Sequence, residues 1–224
     1  MPDISDTLIK ILNKARKLEA SEEYKEASEL LNYAFAKQIP NNESMRAVFL
    51  NFQGIVLRGQ EKFDDAFNDY SIVLKLNASD EEKAHAHINI ADIFRVRDND
   101  FAKAHSSLDD ALTYSGNRTF MHAKAVDQRG MMFYRQAHIK GINESVRDDL
   151  LKCAYEEYAK AREITSNIIE NKDHINLGRV YGIKDIKKLY AATTQRFGLV
   201  ISELYPSRID EAYNYEIESL KVAE

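Results

Sequence analysis

The side chains best suited to chemistry by type and spacing lie in one short run, Glu82-Lys83-Ala84-His85-Ala86-His87. Glu82 and His85 have the Glu-x-x-His spacing with which helices supply ligands to carboxylate-bridged di-iron centres. Such a centre needs the motif twice and further carboxylates from other helices, and the sequence holds no second copy. His85 and His87 point about 200° apart on a helix, too far round to share one metal ion. Gly-rich phosphate loops and a Gly-x-Ser-x-Gly elbow are absent. The 36 acidic residues offer no pair whose spacing marks it for acid–base work. The expectation is therefore a chain that is not an enzyme, with no catalytic residues, no metal site and no cofactor.

Bulk properties narrow the class further. A formal charge of −5 argues against nucleic acid as partner, because phosphate recognition concentrates Lys and Arg. The single cysteine, Cys153, excludes an internal disulfide and reads as a small packing residue. No run approaches the ~18 apolar residues of a membrane span, and the N-terminus Met-Pro-Asp-Ile-Ser-Asp carries no basic segment followed by an apolar one. A cytoplasmic setting with no membrane association is expected. Eight Gly and three Pro in 224 residues favour long helices over a loop-rich β fold.

The elements that must carry any functional surface are written four times. The copies are Tyr24-Ala27-Leu31-Ala34, Phe63-Ala66-Tyr70-Val73, Phe101-Ala104-Leu108-Ala111 and Leu151-Ala154-Tyr158-Ala161. In each copy one apolar residue lies three before the alanine, another four after it and a small residue seven after it, and these offsets lie on one helix face. Upstream of each copy is a second small residue, Ala15, Gly54, Ala91 or Gly130, followed three residues later by Leu18, Leu57, Phe94 or Phe133. The spacing predicts helix A, a short turn and helix B in every unit, and repeated hairpins stack into an array. The hairpins are expected at about 5–38, 44–76, 80–114 and 119–170, with turns at Gly59-Gln60-Glu61 and Arg97-Asp98-Asn99-Asp100. Helix A of the first is expected to start after Ser5 and Asp6 as caps. The fourth unit has about twelve extra residues around Lys140-Gly141-Ile142-Asn143.

At these positions the chain resembles the tetratricopeptide repeat family over roughly residues 8–166. Gly54, Leu57, Ala66, Tyr70 and Val73 match its pattern best. The spacings of 39, 38 and 50 between Ala27, Ala66, Ala104 and Ala154 exceed that family's usual 34, and Ile11, Leu50 and His87 stand where it often has Trp. The resemblance implies an all-α, right-handed superhelical solenoid of about five antiparallel hairpins. Residues 1–171 would form four of them. Residues 172–224 would form a degenerate terminal hairpin, in which Ile209 and Ala212 begin the motif while Glu216 and Ser219 replace its last apolar and small residues. A terminal repeat must present a polar outer face, so this hairpin is read as a cap, with a fifth binding repeat as the alternative.

The resemblance also implies where a partner binds. In that family helix A lines the concave face. Carried over here, the wall comprises Asn13 and Arg16, then Asn51, Ile55 and Arg58, then Asn89, Asp92 and Arg95, and finally Lys124, Asp127, Met131 and Tyr134. Asparagine offers a donor and an acceptor to a peptide backbone, and arginine binds carboxylates bidentately. The clamp with which one subfamily holds acidic chaperone tails is missing, since Leu12, Arg16, Phe52, His85 and Asn89 occupy its places. The function expected is a non-catalytic scaffold that binds a protein or peptide in the groove. A peptide-sensing regulator, an assembly or secretion chaperone, and an RNA-binding helical repeat are the alternatives. Oligomeric state stays open.

Overall fold

The computed structural model describes residues 4–38, 42–117, 119–170 and 182–223. Among these residues the secondary structure is helical, with ten α-helices and one short 3-10 turn. The helices are α1 (Ile4–Ala20), α2 (Tyr24–Gln38), α3 (Glu43–Gly59), α4 (Phe63–Lys75), α5 (Asp80–Val96), α6 (Phe101–Tyr114), α7 (Phe120–Ala137), α8 (Glu144–Glu170), α9 (Ile183–Leu204) and α10 (Ile209–Ala223). The 3-10 turn, Pro206–Arg208, separates the last two. None of the described helices is long and apolar enough to cross a membrane.

Local chemistry explains where the helices begin. Side-chain caps accept the orphan N–H three residues on: Asn42 from Met45, Ser79 from Glu82, Asp100 from Lys103 and Thr119 from His122. The α9 start is closed by Asp185, whose carboxylate accepts the Gly182 N–H at 2.8 Å. At α1 the sequence expectation needs correction. The helix begins at Ile4, so Ser5 and Asp6 lie in its first turn rather than before it.

Helix ends follow a repeated rule. Glu22, Glu61 and Asn99 have φ of 60°, 60° and 51°, each two residues ahead of the next helix. In the first two turns the residue after this left-handed one donates back to the same place, Glu23 N–H to the Leu18 carbonyl at 2.8 Å and Lys62 N–H to the Leu57 carbonyl at 2.9 Å. That bond is the six-to-one closure of a Schellman cap.

The chain forms two compact units, Met1–Asn99 and Asp100–Glu224. In the first, α1 to α5 pack each on its successor, and α3 also touches α1 and α5. In the second, α6 to α10 do the same, and α7 also touches α9. The boundary expected at 171/172 lies outside the described residues.

The fourfold motif is the buried face of helix B. Ala27, Leu31 and Ala34, their counterparts Ala66, Tyr70 and Val73, Ala104, Leu108 and Ala111, and Leu151, Ala154, Tyr158 and Ala161 are all buried. The small residues of helix A admit the partner's ring. A Cβ built on Gly54 would lie 2.5 Å from Cζ of Tyr70, and one on Gly130 would lie 2.9 Å from Cδ1 of Tyr158. In the first unit Tyr70 belongs to a cluster with Ala47, Leu50, Leu57, Ala66 and Ile93. In the second, Ala154 and Tyr158 pack with Phe197, Val200, Ile201 and Ala212.

Candidate functional site

In the first unit the expected wall residues of α3 and α5 meet one another. The Asn51 amide donates to the Glu82 carbonyl at 3.0 Å and to the Glu82 carboxylate at 2.6 Å. One turn-pair further along, the Arg58 guanidinium is paired with the Asp92 carboxylate. Arg95 reaches the same carboxylate from its own helix, with Nε donating to Oδ1 at 3.0 Å and a second contact from Nη2. Two guanidinium groups thus share one carboxylate and leave a net positive charge. Arg58, Asp92 and Arg95 are all half-buried, as is Ile55 one turn before Arg58. Burial holds the Arg95 guanidinium below the usual arginine range, which fits a cation placed where water is scarce.

Asparagine is where the structure departs from expectation. Asn51 is 1% exposed and its donor is spent on Glu82. Asn89 is buried too, and its amide donates to the His85 carbonyl of its own helix at 3.0 Å. Neither offers a free amide to a peptide backbone. Asn13 is exposed and Arg16 half-buried on α1. Asn51 thus sits between neighbouring A helices rather than on an open wall. A buried amide donor needs an acceptor; the neighbouring helix supplies it for Asn51, and the helix's own backbone supplies it for Asn89.

The second unit repeats the arrangement. Asp127 is completely buried, accepts from the Thr193 hydroxyl at 2.9 Å and is paired with Arg196. Seven residues on, the Tyr134 hydroxyl donates to the Glu203 carboxylate at 2.7 Å. The Glu203 carboxylate also receives Arg147 at 2.9 Å and faces His138 Nε2 at 3.1 Å. Burial, then the Glu203 hydrogen bond, push the Tyr134 phenol up to about 12. Lys124 and Met131 are half-buried, and Met131 packs on the core behind.

Four contacts, Asn51–Glu82 and Arg58–Asp92 in one unit, Asp127–Arg196 and Tyr134–Glu203 in the other, therefore tie alternate helices. In each unit the two contacts run in the same chain direction, so the tied helices are parallel. Thr193, Arg196 and Glu203 are the residues the sequence reading did not single out. Arg196 and Glu203 are separated by the same seven residues as Asp127 and Tyr134, a spacing that puts each pair on one helix face without naming its partner.

Among the described residues no three groups of metal-ligand type converge. Glu82 is buried on Asn51, and His85 is buried beside it in sequence. At Cys153, burial and then the Glu156 and Asp149 carboxylates push the thiol up, which disfavours the nucleophilic thiolate.

No family model matches the chain, and no curated protein matches it. Its fold is similar to that of a solved structure, BtubC (BKLC) from P. vanneervenii, with a TM-score of 0.60 and 15% identity. The match covers 93% of this chain and 76% of that one.

Proposed function

We propose that the chain is a tetratricopeptide-like right-handed solenoid that acts as a non-catalytic scaffold and binds an acidic protein or peptide segment along its A helices. The observation that carries this reading is the pairing of Arg58 and Arg95 with a single Asp92 carboxylate. Two half-buried guanidinium groups on one half-buried carboxylate carry a net positive charge that attracts a further carboxylate. Half-buried Ile55 beside them gives an apolar contact for the neighbouring residue of a ligand. The A-helix ties support a preformed groove, and a preformed groove binds with less loss of entropy than a flexible one. The asparagines play a supporting part in this reading, holding helices rather than touching the partner. The lone cysteine suits a reducing, cytoplasmic setting.

The test is peptide display on the immobilised protein, with selected peptides measured by fluorescence anisotropy against wild type and Arg58→Gln/Arg95→Gln. Glutamine keeps most of the side-chain volume and removes the charge. Enrichment of Asp and Glu, with binding at least tenfold weaker to the variant, is the expected result. Peptides that bind both proteins equally would remove this face from the site.

A further inference from the structure

The last hairpin does not present the polar outer face expected of a cap. Ile209, Tyr213 and Leu220 of α10 are 56%, 63% and 64% exposed, and Leu199 of the adjacent α9 is 49% exposed. The helix has already used another face for its own fold. Ala212 and Tyr215 pack into the core with Phe197 and Val200, and Ser219 is buried. Gly198 lets α10 close on α9, since a Cβ there would lie 2.9 Å from the Ala212 carbonyl oxygen. The exposed stripe is therefore a second apolar face. Residues 209, 213, 216 and 220 fall within about 60° of one another round a helix.

We propose that this stripe is a homodimer interface in which α10 packs antiparallel on α10 of a second copy. The occupant is indicated by the order of residues along the stripe, which is Ile209, Tyr213, Glu216, Leu220. The spacings are four, three and four, so the stripe reads the same in both directions. Laid antiparallel about a two-fold axis, Ile209 meets Leu220 of the second copy at each end. Tyr213 meets Glu216 of the second copy on both sides of the axis. An isologous interface requires this self-complementarity. A stripe of isoleucine, tyrosine and leucine interrupted by one carboxylate needs a partner with apolar ends and a hydrogen-bond donor opposite the carboxylate. The phenol of Tyr213 is such a donor, and a phenol–carboxylate bond is charge-assisted. The alternating spacing of three and four is that of a helix–helix seam. Leu199 flanks it from α9 and widens the apolar contact.

The experiment uses the full chain. Sedimentation velocity across a concentration series is expected to show a species of twice 25.7 kDa. Tyr213→Glu sets glutamate against Glu216 at two places and is expected to weaken association at least tenfold. Adding Glu216→Arg to it restores opposite charges at both places and is expected to restore the dimer. These residues are exposed, and circular dichroism checks that each variant is folded. A second readout is covalent. In a Cys153→Ser background, Ile209→Cys/Leu220→Cys is expected to form a disulfide-linked dimer on mild oxidation, while either single cysteine does not. Eleven residues along one helix span about 16 Å, so the pair cannot close within a chain. A monomer at all concentrations, a dimer indifferent to Tyr213→Glu, or a ladder of larger covalent species would each overturn the proposal, the last in favour of head-to-tail stacking.

Discussion

The ring of Tyr70 occupies the space that a side chain on Gly54 would need, with Cζ 2.5 Å from the Cβ position. Gly130 and Tyr158 stand in the same relation in the second unit. A helix A residue without a side chain is matched to a helix B residue with a large one.

Gly54→Ala is therefore expected to destabilise the protein even though alanine favours a helix by about 1 kcal/mol over glycine. Overpacking a core site costs about 1–3 kcal/mol, and Tyr70 is too enclosed to move aside. Adding Tyr70→Leu opens the space again, so the double variant should recover part of the loss. Urea midpoints of the four proteins form a double-mutant cycle, and simple additivity would mean that the two positions do not compete.

Ala66 is completely buried in the same cluster. Ala66→Leu should cost about 1–3 kcal/mol. An unchanged urea midpoint would show that the interior tolerates the added volume.

Asp127 is buried beneath Arg196 and Thr193. Asp127→Ala leaves a guanidinium without its carboxylate, and breaking a buried pair from one side costs about 3–5 kcal/mol. Arg196 keeps some exposure, so the lower end is expected. Native-state hydrogen exchange should show α9 losing protection. Equal losses in every helix would mean that the pair supports the whole unit rather than α9.

Asp69 makes stability depend on pH. Burial, then Asp65, push its carboxyl up to about 6, and one of its oxygens is buried with no hydrogen-bond partner. A carboxyl that binds its proton more tightly when folded favours folding at low pH. Its contribution is lost as pH rises from about 4 through about 6. Asp69→Asn should stabilise the protein at pH 7.5 by roughly 1 kcal/mol, allowing for solvent screening of a half-buried group. The gain should vanish below about pH 4. Thermal melts across that range check it, and a gain that persists at low pH would rule out titration as the cause.

Glu61 closes the α3–α4 turn with φ of 60°. A left-handed residue with a side chain is strained by about 1 kcal/mol or more, while glycine adds entropy to the unfolded chain. Glu61→Gly is expected to stabilise by about 0.5 kcal/mol, read from the urea midpoint. Glu61→Val should destabilise, because a branched side chain resists that conformation.

The helices, their turns and the buried face of each helix B were legible in the sequence. The reason is that helical periodicity is local: Ala66, Tyr70 and Val73 declare one face by spacing alone. Caps such as Asn42, Ser79 and Thr119 are equally local, acting on an N–H three residues away. What the polar residues of helix A do was decided only in three dimensions. Asn51 has the same side chain whether it faces solvent or a neighbouring helix, and its partner Glu82 is 31 residues away. Asp127 finds Arg196 across 69 residues, a distance over which no local period connects them. The open apolar stripe on α10 lies between these cases. Its spacing is in the sequence, but Ala212 and Tyr213 are both apolar neighbours on one helix. Only packing against α9 decided that Ala212 is covered and Tyr213 exposed.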